Sequence, residues 1–210
     1  MEPRGRTGSF WDSKTNAMAD TANVIRTFVA IPLPEHVKRF LSRVQSELRS
    51  ARLTAAWPDP TRFHLTLKFL GLTRQEMQLP IQSAMTSLAG VYPDLSLTAR
   101  GMGVFPNVRN ARVLWSGIHC PSRRLTDLVT DLDKRLQSMG IPAQSRPFFP
   151  HVTLARLKKP ARQSVLNPLL ERFENQSSPS FTASRLVFYE SRLTAEGAVH
   201  TPLFQIKLTP

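Results

Sequence analysis

Phe63-His64-Leu65-Thr66-Leu67-Lys68-Phe69-Leu70-Gly71 reads as a strand whose faces are already assigned. Polar and apolar side chains alternate from His64 to Leu67, so His64 and Thr66 share one face while Leu65 and Leu67 turn to the other. The arrangement returns at Phe149-Pro150-His151-Val152-Thr153-Leu154-Ala155-Arg156. With 5 histidines and 17 threonines in 210 residues, about 0.4 His-x-Thr matches are expected by chance. Two copies, each with apolar residues at both alternate positions, therefore point to a duplicated unit.

The flanking sequence repeats in step. Pro34 precedes His64 by 30 residues, and Pro121 precedes His151 by 30 residues. After Pro34, the residues Val37, Phe40, Leu41, Val44 and Leu48 fall at offsets 0, 3, 4, 7 and 11, the apolar stripe of an amphipathic helix. After Pro121, the residues Leu125, Leu128, Val129, Leu132 and Leu136 fall at the same offsets. Apolar, β-branched stretches at 24–33 and 112–118 read as the strand that opens each half.

The remaining expectations fill in around this frame. A Thr73-x-x-Glu76 capping box opens a second helix, interrupted by Pro80, and a strand follows at 95–99. Residues 100–110, with Gly101, Gly103 and Pro106, read as a loop. A helix is expected over 165–173 and two late strands over 181–189 and 203–208. Residues 1–22 are polar without periodicity and read as a flexible leader, leaving 23–210 as a single domain of two pseudo-symmetric lobes. The expected fold is α+β: a two-lobed duplicated fold with two antiparallel sheets lining a central cleft and helices on the outside.

Composition narrows the function classes. Lysine and arginine outnumber aspartate and glutamate by 28 to 15, so the surface attracts polyanions such as RNA. Cys120, the single cysteine, excludes an internal disulfide and a cysteine-based zinc cluster. No stretch approaches the roughly 20 apolar residues of a membrane-spanning helix, so the expectation is a soluble, cytoplasmic protein with no membrane partner. A monomer with no obligatory protein partner is the accompanying expectation.

Two imidazoles and two hydroxyls converging on one cleft have an obvious chemistry. Near neutral pH one histidine can be neutral and the other charged, the pairing that concerted base and acid catalysis requires. Thr66 and Thr153 can donate hydrogen bonds to phosphate oxygens. Arg156 suits phosphate by its guanidinium, yet simple alternation turns it away from His151, so the strand must end or bulge there. Phe148, Phe149 and Trp57 are candidates for base stacking, and Arg62, Lys68 and Arg146 for flanking phosphates. His36, His119 and His200 have no such context and receive no role.

The whole pattern resembles the 2H phosphoesterase superfamily and, within it, the RNA 2′,3′-cyclic phosphodiesterase family also called 2′-5′ RNA ligase. The resemblance rests on the two His-x-Thr segments, on Arg26-Thr27-Phe28-Val29-Ala30-Ile31-Pro32-Leu33-Pro34 and on Arg112-Val113-Leu114-Trp115. It covers the chain from about residue 24 onward. It implies metal-independent hydrolysis of RNA 2′,3′-cyclic phosphate ends, or of cyclic nucleotides, to 2′-phosphomonoesters, with no cofactor. It also implies that His64 is the proton donor to the leaving 3′ oxygen, that His151 activates water and that Arg156 supports phosphate, with reverse 2′-5′ joining as a minor activity. A bell-shaped pH profile of kcat/KM is expected, with both limbs within about two units of neutrality. The rival readings are a non-catalytic RNA-binding module of the same fold and a metal hydrolase, for which no HExxH or paired carboxylates speak.

Overall fold

The computed structural model describes residues 23–144, 146–195 and 197–209; the expected leader, residues 1–22, lies outside them. In chain order the elements are β1 (Val24–Pro32), α1 (Glu35–Ser50), β2 (Ala55–Ala56), β3 (His64–Arg74), α2 (Gln78–Thr86), β4 (Leu95–Phe105) and β5 (Val113–His119). There follow α3 (Arg124–Gln137), β6 (His151–Leu157), α4 (Gln163–Phe173), β7 (Phe181–Ala183), β8 (Arg185–Thr194) and β9 (Gly197–Lys207). The fold is α+β, with two antiparallel sheets of order β3-β1-β8-β9 and β2-β6-β5-β4-β7.

A shift of 87 residues, the spacing of His64 and His151, lays β1 over β5, α1 over α3, β3 over β6, α2 over α4 and β4 over β8. The last pair is exchanged: β4 joins β5 in the second sheet and β8 joins β1 in the first. Each sheet therefore takes its third strand from the other repeat, and neither is complete without both halves of the chain.

The two apolar stripes hold the long helices in place. Val37, Phe40, Leu41, Val44 and Leu48 of α1 are buried, as are Leu125, Leu128, Val129, Leu132 and Leu136 of α3. Burying one such side chain is worth roughly 1.5–3 kcal/mol, whereas intrinsic helix propensities differ by only tenths. Packing therefore fixes these helices.

Three expectations need correction. Thr73 does not cap a helix: β3 runs on to Arg74, and the buried Thr73 hydroxyl lies 2.6 Å from that of Thr27 on β1. Helix α2 starts at Gln78, which puts Pro80 in its first turn, where no intrahelical N–H bond is lost. Residues 100–105 are strand rather than loop. Gly101 sits at φ +67° where the register shifts between Arg100 and Met102, and Gly103 lies under the Trp115 ring, where a Cβ would fall 2.1 Å from the ring. The late strands are three, not two; β8 and β9 extend to Thr194 and from Gly197 through mostly exposed pairs, which carry no apolar alternation to read.

Candidate active site

β3 and β6 lie against each other where the two sheets meet, and each begins with its histidine. His64 Nδ1 donates to the carbonyl oxygen of Arg62 at 2.8 Å, and His151 Nδ1 donates to that of Phe149 at 2.7 Å. A carbonyl can only accept, so in both rings Nδ1 carries the hydrogen and Nε2 is left for the cleft. The same local turn of chain, two residues back from each histidine, thus sets the same tautomer twice.

Aromatic neighbours hold the rings. His64 stacks on Phe28 with ring centroids 4.9 Å apart and meets His200 edge-on at 5.1 Å. His151 meets Phe105 edge-on at 5.0 Å and lies 6.3 Å from Trp115. Phe28 and Trp115 occupy corresponding positions in the two repeats.

Burial holds the His64 imidazole well below its ordinary range, at about 4, against the opposing bond to Arg62; the charges of His200, His151 and Lys38 push the same way as burial. His151 is also lowered by burial, opposed by its bond to Phe149 and joined by the charge of Arg156. Without an anion present, both rings are neutral at pH 7. An anion beside either ring favours its protonated form.

The hydroxyl-bearing residues Thr66 and Thr153 share the half-buried face of their strands with the histidines. Among the described residues neither hydroxyl has a hydrogen-bond partner, so both are available to a ligand.

A bulge in each strand decides the next position. Val29 pairs with Lys68 while Ala30 pairs with Thr66, leaving Leu67 extra; Leu114 pairs with Ala155 while Trp115 pairs with Thr153, leaving Leu154 extra. Two consecutive side chains therefore turn inward in each strand, Leu67 with Lys68 and Leu154 with Ala155. The following residue, Phe69 or Arg156, returns to the open face. The bulge carbonyls are not left bare: Gln144 Nε2 donates to Leu67 O at 2.8 Å and the buried Gln45 Nε2 donates to Leu154 O at 3.0 Å. Arg156 thereby stands on the side of His151 and Thr153.

The same bulge removes Lys68 from the phosphate-binding candidates. Its ammonium is buried, paired with Asp133 of α3, and donates to Pro142 O at 2.6 Å. Arg62 is engaged with Ala198 O at 2.8 Å and with Asp59. Trp57 and Phe148 pack against the core, with the Arg49 guanidinium 5.3 Å over the Trp57 ring. Phe149 remains about half exposed beside Trp115, and Arg146 is exposed. His36 and His119 are exposed.

His200 is the residue that sequence reasoning missed. It lies within β9, opposite Ser191, and its ring touches both His64 and Phe28. Its Nδ1 is buried without a hydrogen-bond partner among the described residues. No periodic signal surrounds it; only the β8–β9 hairpin brings it to the site.

A fold of two interlocked antiparallel sheets with a duplicated His-x-Thr pair at their meeting strands defines a two-histidine phosphoesterase architecture. The model of the LigT like Phosphoesterase family matches residues 31–115 and 118–200, and the chain belongs to that family. It is 31% identical over 184 residues to the RNA 2′,3′-cyclic phosphodiesterase of Methanothermobacter thermautotrophicus, spanning 88% of this chain and 99% of the relative. A protein of that name from Thermus thermophilus is 32% identical over 189 residues, spanning 88% and 90%. Among solved structures, a protein of Thermus thermophilus superposes with TM-score 0.74 at 27% identity, covering 88% of this chain and 98% of that one. Apo LigT of E. coli superposes with TM-score 0.68 at 25% identity, covering 90% and 99%.

Proposed function

We propose that this protein is an RNA 2′,3′-cyclic phosphodiesterase that opens the cyclic phosphate at an RNA end, or of a cyclic nucleotide, to a 2′-phosphomonoester. The observation that carries the reading is the matched pair of imidazoles, fixed in one tautomer by equivalent carbonyls and backed by two uncommitted hydroxyls on meeting strands. Residues 23–210 act as one domain of two pseudo-symmetric lobes, and since one chain supplies both histidines, no second subunit is needed.

In the reaction, His151 Nε2 takes a proton from water as the water oxygen bonds to phosphorus. The bond from phosphorus to the 3′ oxygen breaks, and His64 Nε2–H gives that oxygen its proton. Thr66, Thr153 and Arg156 hold the non-bridging oxygens as charge builds there. The acid and base roles fit the burial of the rings. His64, the harder to protonate, is the stronger acid once protonated, and the less perturbed His151 is the better base. Phe69, exposed at the position that mirrors Arg156, offers a face on which a nucleobase can stack.

Incubating the protein with a 2′,3′-cyclic nucleotide in the presence of EDTA tests this directly. The expected product is the 2′-phosphate, seen by phosphorus NMR. Firm binding with unchanged substrate would establish the non-catalytic RNA-binding module instead.

A further inference from the structure

We propose that the RNA chain leading to the terminal nucleotide lies over the end of the second sheet, on a carboxylate-free basic surface formed by the 107–112 turn and the loop from β6 to α4. This rests on the reading of the site as one that takes RNA ends, and adds where the rest of the RNA goes.

The sequence has no Asp or Glu between Asp94 and Asp127, nor between Asp133 and Glu171. These two stretches meet in the second sheet, where β5 pairs with both β4 and β6. At the end where β4 stops, β5 starts and β6 stops, they expose Arg109, Arg112, Arg156, Lys158, Lys159 and Arg162. Among the described residues none of the six is ion-paired.

The backbone ties these cations together and to the site. Arg112 N donates to Phe105 O at 2.7 Å, Leu157 N donates to Arg112 O at 2.8 Å, and Lys158 N donates to Thr54 O at 2.8 Å. Phe105 is the ring that meets His151 edge-on. Two residues beyond Phe105, at most about 7.6 Å of chain, Asn107 opens a groove of about 520 Å³ lined also by Val108, Arg109, Gln163 and Asn167. Within these two stretches, cations and amides therefore continue outward from Arg156 with no acidic residue among them to repel a phosphate backbone.

The opposite end of the site is built otherwise. At the positions that mirror Arg112, Arg156, Lys158 and Lys159 stand Ile25, Phe69, Gly71 and Leu72. Phe69 and Leu72 are 67% and 74% exposed. Arg26, Arg74 and Arg192 are exposed at this end, but Arg74 and Arg192 are held by Glu76 and Glu190. Six cations without an acidic partner at one end therefore face mainly Arg26 at the other, and charge favours one direction of exit out of two that the repeat offers.

The test uses the full chain with Arg109→Gln, Arg112→Gln, Lys158→Gln and Lys159→Gln combined. The control carries Arg39→Gln, Arg43→Gln, Arg123→Gln and Arg124→Gln, an equal loss of exposed charge on or beside α1 and α3. Turnover is compared on a 2′,3′-cyclic mononucleotide and on a short oligoribonucleotide with the same terminus. The first variant should keep mononucleotide kcat/KM within about twofold while losing roughly tenfold or more on the oligomer, and its log–log salt slope should fall by about 0.7 per phosphate contact removed. The control should hold both substrates within about twofold to threefold. Equal losses on both substrates, an unchanged salt slope, or an equal loss in the control would overturn the proposed surface. If the wild type turns over neither substrate, the activity reading fails by itself, and the same salt slope measured from oligomer binding still decides the surface.

Discussion

The halves of this molecule that carry His64 and His151 use one plan with different contents. Each strand has a histidine held by the carbonyl two residues before it, a threonine two residues after it, and a bulge whose spare carbonyl is met by a glutamine. Beyond the bulge they part. Ala155 in one strand answers to the buried, ion-paired Lys68 in the other, and Arg156 answers to Phe69. The shared part sets an imidazole and a hydroxyl on one half-buried face of each strand; the divergent part makes the two sides of the cleft chemically unequal. Duplication thus supplies two equivalent arms, and substitution after the bulge gives each its own task.

The largest expected effect breaks the equivalence of the histidines. His64→Ala and His151→Ala should each lower kcat on a 2′,3′-cyclic nucleotide by roughly 10²–10⁴-fold. On an aryl phosphodiester, whose phenolate leaves without a proton, His64→Ala should recover most of its activity and His151→Ala should not. Equal recovery in both would erase the assignment of acid and base.

The second effect concerns stability and bears on Lys68 against Ala155. Asp133→Ala leaves the Lys68 ammonium buried without its charged partner and should cost about 3–5 kcal/mol in urea unfolding. Replacing both partners, as in Lys68→Met with Asp133→Leu, should regain most of that loss. A neutral single variant would mean that Lys68 escapes to solvent.

The smallest effect sharpens the difference in ring environment. Protonation of the free enzyme governs kcat/KM, whose bell is set by the macroscopic pKa values of the coupled pair. The lower lies near 4 at His64 and the upper falls below 6.5 at His151, both depressed mainly by burial. The maximum should therefore lie on the acid side of pH 6.5, with its lower limb outside the window of two units expected from unperturbed imidazoles. In kcat the bound phosphate anion favours protonation, so both limbs should move to higher pH. A kcat/KM maximum on the alkaline side of neutrality would show that burial does not control these rings.

Much of this was legible from local pattern. The stripes of α1 and α3 have a period set by the helix itself, and the His-x-Thr strands alternate with a period of two, so neighbours in sequence were enough to place them. The 30-residue spacing from Pro34 to His64 and from Pro121 to His151 made the duplication countable. Gly101 and Gly103 misled for an equally physical reason: glycine marks loops on average, but here one serves a strand irregularity and the other gives room to Trp115.

What the sequence by itself determined was the period of each element, the duplication and which polar side chains share one face of β3 and of β6, because these follow from covalent order and from which residues are apolar. Only the tertiary structure decided that β4 and β8 change places, that Lys68 turns inward while Arg156 turns outward, and that His200 reaches His64. Each depends on register and hydrogen bonding between segments far apart in the chain, and a pairing energy between distant strands leaves no periodic trace in either one.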